Sequence, residues 1–232
     1  MTEVRDPRMQ RAAKLAKIEK AVRSMLEAIG EDPEREGIKE TPRRVAQLYQ
    51  RIFSGIGQDP AKNLKLYCVN NQDGMILVEN ISFHSMCEHH LLPFFGKIHL
   101  AYLPNKNRVT GLSSLTKAIE VLSQRPQLQE RLANEIADTL MKALNPKGLL
   151  VIVEAEHLCM AMNDPHRSGT SAISVAARGA MLEESARTEA LSLISDQTRS
   201  RTSKQVLSRM SGQFRSKIGK QTRSRARRSP RK

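Results

Sequence analysis

The segment GLLVIVEAEH, residues 148–157, constrains the fold more than any other stretch of the chain. It is a near-continuous β-branched and apolar run, which reads as a buried strand, so a sheet has to be built around it. Upstream, MILVENISF (75–83) and KIHLAYLP (97–104) read as two further strands, and 172–181 as a fourth. Between them lie two helical stretches, about 112–124 and 127–144, broken at Arg125-Pro126 because proline cannot continue a helix. Nearer the N-terminus, Leu15, Ile18, Val22, Leu26 and Ile29 recur at three- and four-residue steps, an amphipathic helix ending near Gly30. Thr41-Pro42 starts the next helix, with Thr as N-cap and Pro at the first position, and SGIG at 54–57 ends it. Residues 58–73 read as loop and PNKNRVTG (104–111) as a polar turn. The order ααββααββ is an α+β pattern rather than alternating βαβ units.

Two chemical clusters sit at the ends of these strands. FHSMCEHHLLPFFGK (83–97) places Cys87, Glu88, His89 and His90 on the turn between the runs 75–83 and 97–104, and His157-Leu158-Cys159 closes the buried strand. A catalytic zinc site commonly has three protein ligands and an open fourth position. Cys87 and His90, three apart on a tight turn, can reach one ion, and Cys159 is the natural third ligand. An isolated CxxH is equally well read as a small buried thiol and a satisfied imidazole. The second His-x-Cys at a strand end shifts the balance toward metal. His89 and His157 are then left beside the ion, and spare imidazoles there suit proton transfer near neutral pH.

Composition narrows the class further. The chain has 232 residues, suggesting one domain with an appendage and enough length for a sizeable core. No apolar run approaches a membrane span, and MTEVRDPRMQRAAK has no apolar signal-like segment, so a cytoplasmic location is expected. Three cysteines do not make a disulfide framework. The net charge is +14, yet 13 of the positive charges follow Asp196 with no acid among them, leaving +1 for residues 1–196. The body is nearly neutral and the tail carries the basicity.

HSMCEHHLLPFFGK, GLSSL (111–115), QRPQLQERL (124–132) and VIVEAEHLCMAM (151–162), together with REGIKETPRRVAQLYQRIFSG (35–55), resemble GTP cyclohydrolase I from about residue 15 to 185. The resemblance implies a T-fold: N-terminal helices (1–57), then a catalytic domain (58–186) of a four-stranded antiparallel sheet with two helices on one face. Subunits of the family pool strands into a homo-oligomeric ring, commonly a decamer, with active sites between subunits. The implied reaction is GTP plus water giving 7,8-dihydroneopterin triphosphate and formate. The family's zinc ligands fall on Cys87, His90 and Cys159, the trio already reached from the residues. His157 matches the proton donor to guanine N7 as hydration at C8 opens the ring. His89 matches a second donor, for ribose opening, with Ser113 assisting. Glu130 matches the reader of the guanine N1/N2 edge, Gln129 lies beside it, and Arg44 and Lys117 match phosphate-binding positions.

The departures cluster at the phosphate end. Gln47 stands where a lysine is frequent, Ser114 replaces the lysine of GLSK, and Lys117 stands where arginine is usual. Asn163 and Asp164 occupy the place of the C-x-x-x-R-G arginine and glycine. His166 and Arg167 offer partial compensation if their loop folds back. Each lost charge-assisted contact is worth on the order of 1.5–3 kcal/mol. A zinc hydrolase acting on a less phosphorylated guanine compound is therefore an alternative. His84, His99 and Cys68 need no role.

The segment 187–232 lies outside the resemblance and reads as a basic, disordered tail. Within it, Val206, Leu207, Met210, Phe214 and Ile218 share one helical face among cations, which suits a nucleic acid or an anionic surface. A solvated tail without a partner is the plain alternative. A non-catalytic T-fold scaffold working through that tail is a third possibility, opposed by the intact Cys87, His89, His90, His157 and Cys159.

Overall fold

The computed structural model describes residues 7–70, 74–164 and 169–194. The tail beyond 194 and the loop residues His166 and Arg167 lie outside that range. A first compact unit ends at Ala180 and a second begins at Met181, of which 184–194 are helical.

The first unit opens with α1 (Pro7–Ala28) and α2 (Thr41–Ile52). Gly30, at φ +87°, takes the left-handed conformation that ends the first helical segment. The cap of α2 is Glu40, not Thr41. Thr41 N instead donates to Ile38 O in the preceding turn, which carries the helical path one residue further back than the Thr-Pro signal predicts.

The main sheet has the order β5-β2-β3-β6-β7, from β2 (Ile76–Cys87), β3 (Pro93–Leu103), β5 (Pro126–Gln127), β6 (Gly148–His157) and β7 (Ser171–Gly179). The four long strands are antiparallel, as expected for a T-fold, and the two-residue β5 adds a parallel edge to β2. Gly148–Val153 of β6 are all buried. The close approach of β3 to β6 requires Gly96, where a Cβ would lie 1.9 Å from Glu154 O. Both strands of the β2–β3 hairpin run further toward the histidine cluster than their apolar patterns suggested, because Ser85 and the prolyl and glycyl residues of PFFGK hide the alternation.

Helices α3 (Leu112–Ser123) and α4 (Gln129–Leu144) cover one sheet face. Their Leu115, Ile119, Leu122, Leu132, Ile136, Leu140 and Leu144 form one buried cluster with Phe83, Phe94, Ile98, Leu100, Leu149, Val151 and Val153. The expected loop and turn are corrected: β1 (Leu66–Cys68) pairs antiparallel with β4 (Arg108–Thr110). These three-residue strands, β1 exposed and β4 half-buried, are too short to show any periodicity. Among the described residues no helix is long and apolar enough to cross a membrane.

Candidate active site

The site is built where three chain segments end together. Cys87 is the last residue of β2, and its carbonyl accepts from Leu91 N at 2.8 Å while its N–H donates to Leu92 O at 2.9 Å. This closes a tight turn in which Leu91 sits at φ +51°, a left-handed conformation costly for a leucine. The turn is also tied outward. Glu88 N donates to Gln127 O at 3.1 Å, and the Glu88 carboxylate takes a two-pronged ion pair from the Arg131 guanidinium of α4. That hydrogen bond holds the Glu88 carboxyl below its ordinary range. The sequence offered only a weak hint of this strut, an acid inside the cluster and an arginine inside a helical motif.

Cys159 comes from the other side. β6 ends at His157, and Cys159 occupies the first turn of α5 (Leu158–Asn163) rather than the strand end expected. LCMAMN is rich in good helix formers, which explains the immediate switch. The ligand atoms of Cys87, His90 and Cys159 all lie within 4.8 Å of one another, with Cys87 Sγ 3.8 Å from His90 Nδ1. Among the described residues no other such group is found. Burial pushes the Cys159 thiol up, and the adjacent Cys87 adds to the shift. Two buried, converging sulfurs plus one imidazole are a soft donor set suited to a zinc-type cation.

His157 stacks on Phe94, with ring centroids 4.7 Å apart and planes 3° from parallel. Its Nε2 lies 2.8 Å from Gln129 Oε1. The other end of that amide donates to Val153 O and Ala172 O, both at 2.9 Å, so the orientation of Gln129 is fixed by β6 and β7. Only an N–H can face Oε1, so His157 carries a proton on Nε2. Burial lowers the His157 pKa, and the Glu130 carboxylate opposes the shift. Phe94 was not foreseen, although the LLPFFGK segment already carried it.

The expected residues therefore divide into two groups. Cys87, His90, Cys159, His157, Gln129 and Glu130 gather at one end of the sheet, with His89 next to His90 at a ring-centroid distance of 6.1 Å. Ser113 and Lys117 instead line a cavity of about 400 Å³ between α3 and β2, which none of those residues lines. Arg44 and Gln47 lie exposed on α2.

An antiparallel α+β sheet carrying two buried thiols and an exposed imidazole in one Cys-His-Cys group beside a braced histidine defines a T-fold protein with a candidate metal centre. The model of the family described as GTP cyclohydrolase I matches residues 18–195. GTP cyclohydrolase 1 of Carboxydothermus hydrogenoformans is 52% identical over 186 residues, covering 80% of this chain and 97% of that protein. The Pelotomaculum thermopropionicum protein of the same name is 52% identical over 182 residues (78% and 97%), and that of Bacillus pumilus 48% over 180 (77% and 95%). The chain belongs to the GTP cyclohydrolase I family and is an enzyme of that type. A solved structure of the archaeosine synthase QueF-Like in the apo form matches at a TM-score of 0.35 and 19% identity, covering 45% of this chain and 93% of that one.

Proposed function

We propose that this chain is a zinc-dependent GTP cyclohydrolase that converts GTP and water to 7,8-dihydroneopterin triphosphate and formate. The observation that carries the proposal is the convergence of Cys87, His90 and Cys159 within 4.8 Å beside the braced His157. Those three residues would hold the ion, which when bound supplies the Lewis acidity that makes a water nucleophilic near neutral pH.

The chain's own residues do the rest. His157 delivers a proton from Nδ1 to guanine N7 as the ring opens at C8. Gln129, at 2% exposure, is committed to His157 and to two backbone carbonyls, so its role is to orient the imidazole rather than to bind substrate. Exposed Glu130, in the first turn of α4, accepts from the guanine N1/N2 edge, a donor pair adenine lacks. Exposed His89 serves ribose opening.

Ser113, Lys117 and Arg44 would join such a site from a neighbouring copy in a homo-oligomeric ring. Their separation from the histidine cluster within one chain supports this. The enzyme would act in the cytoplasm, with residues 58–186 as its catalytic domain. Gln47, Ser114 and Asn163 favour a second reading, a substrate with fewer phosphates. Incubating the zinc-loaded protein with GTP, GMP and guanosine and measuring formate tests both. Formate from none of them would refute the proposed reaction.

A further inference from the structure

The first turn of α4 reaches in three directions. Gln129, Glu130 and Arg131 are consecutive, so their side chains leave the helix about 100° apart. Gln129 turns back to His157 and to carbonyls of β6 and β7. Glu130 is exposed. Arg131 crosses to the turn after β2, where its Nη1 and Nη2 donate to Oε2 and Oε1 of Glu88, the second at 3.0 Å. Leu132 and Ala133, which follow at once, are buried and hold this part of the helix in the core.

The turn that contains Glu88 needs an outside hold. Cys87 is buried at the end of β2 and Cys159 is buried in α5, so packing fixes both thiols. His90 is exposed, and the turn 88–91 alone carries it to the sulfurs. That turn passes through Leu91 at φ +51°, which a leucine disfavours. Two ties lead outward from Glu88. Its N–H donates to Gln127 O, and buried Gln127 in turn donates from Nε2 to Glu135 Oε2 at 2.7 Å. Its carboxylate takes the Arg131 fork. Both ties end on α4, one helical turn apart.

An exposed ion pair generally contributes little. Arg35–Glu31, Arg43–Glu40 and Lys117–Glu120 are of that kind, each joining residues three or four apart. The Arg131–Glu88 pair differs in joining residues 43 positions apart, in being two-pronged, and in a Glu88 side chain only 28% exposed. We propose that Arg131 is a positioning residue: through Glu88 it holds the turn that presents His90 to the zinc, in register with Gln129 and Glu130 on the same turn of α4. The zinc belongs to the proposed reaction, on which this inference rests.

Competition with a chromophoric chelator measures zinc affinity in the full-length protein. Arg131→Gln and Glu88→Gln should each weaken it about 10–100-fold, the usual effect of losing a partner behind a metal ligand. The double variant should lose no more than either single one, because both remove one interaction. Arg131→Lys, which keeps the charge without the fork, should recover part of the loss. At saturating zinc, kcat for formate release should fall in the Gln variants while KM for GTP stays within twofold, since Glu130 has not moved. Far-UV circular dichroism checks that each variant is folded. Zinc affinity within twofold of the unmodified protein in Arg131→Gln would overturn the inference and leave the proposed reaction standing; a raised KM for GTP beside it would make Arg131 a substrate contact instead. Losses that add in the double variant would equally overturn a shared strut. An unmodified protein that takes up no zinc and releases no formate would refute the proposed reaction, and the role of the strut with it.

Discussion

Gln129 Oε1 lies 2.8 Å from His157 Nε2, and the same amide spans β6 and β7 by donating to Val153 O and Ala172 O. One buried side chain thus sets the tautomer of the histidine and closes two strands over it. Gln129→Met, similar in size but unable to pair, would leave two carbonyls and the imidazole without this partner. The Val153 carbonyl, fully buried, costs about 1–3 kcal/mol when left unpaired. Urea unfolding should show a loss of at least that size, together with slower formate release. Unchanged stability would mean that water replaces the amide.

Metal content should follow the converging donors. The purified protein should carry one zinc per chain, and Cys87→Ala, His90→Ala and Cys159→Ala should each lower it severely, since three-ligand binding leaves no redundancy. Full zinc in Cys159→Ala would remove that residue from the centre.

His157→Ala should behave differently. Its ring stacks on Phe94 and bonds Gln129 rather than joining the Cys-His-Cys group. Zinc should be retained while formate release falls by about 10²–10⁴-fold, the usual worth of a positioned acid or base. Undiminished turnover would defeat the assigned role.

His99 gives the stability curve its acid limb. It is 6% exposed on β3, and its Nδ1 has no partner among the described residues. Burial pushes its pKa below the usual 6.5; Glu79 and Glu154 oppose this, and Lys97 adds to it. As pH falls below 6.5, the unfolded chain takes up a proton that the folded chain resists, so stability falls until the folded pKa is reached. Burial of His157 acts with the same sign. His99→Leu should flatten that limb, read as a smaller difference between urea midpoints at pH 7.5 and pH 5. An identical difference would show that His99 does not contribute.

Deleting 197–232 removes 13 cations and leaves a body of net charge +1. Retention on heparin or RNA at low salt should disappear, while zinc content and assembly persist. Loss of the assembled protein on truncation would make the tail structural.

Much of this molecule was legible in one dimension. The buried strand at 148–157, the two covering helices and the paired Cys-His motifs all follow from periodicity and spacing, because neighbouring residues alone set them. Cys87, His90 and Cys159 could be named as one trio since two short motifs at strand ends leave few other partners. The pairing of β1 with β4 was not legible, since two three-residue strands carry no pattern. Nor was the commitment of Gln129: as a neighbour of Glu130 it looks like a ligand, and only the meeting of α4 with β6 and β7 spends its amide elsewhere. The meeting of Glu88 with Arg131 was almost as hidden, the two being 43 positions apart in the chain. The sequence determined which groups were available and the local elements that carry them. Tertiary structure decided which of them face one another, because packing sets distances between segments that chain spacing leaves free.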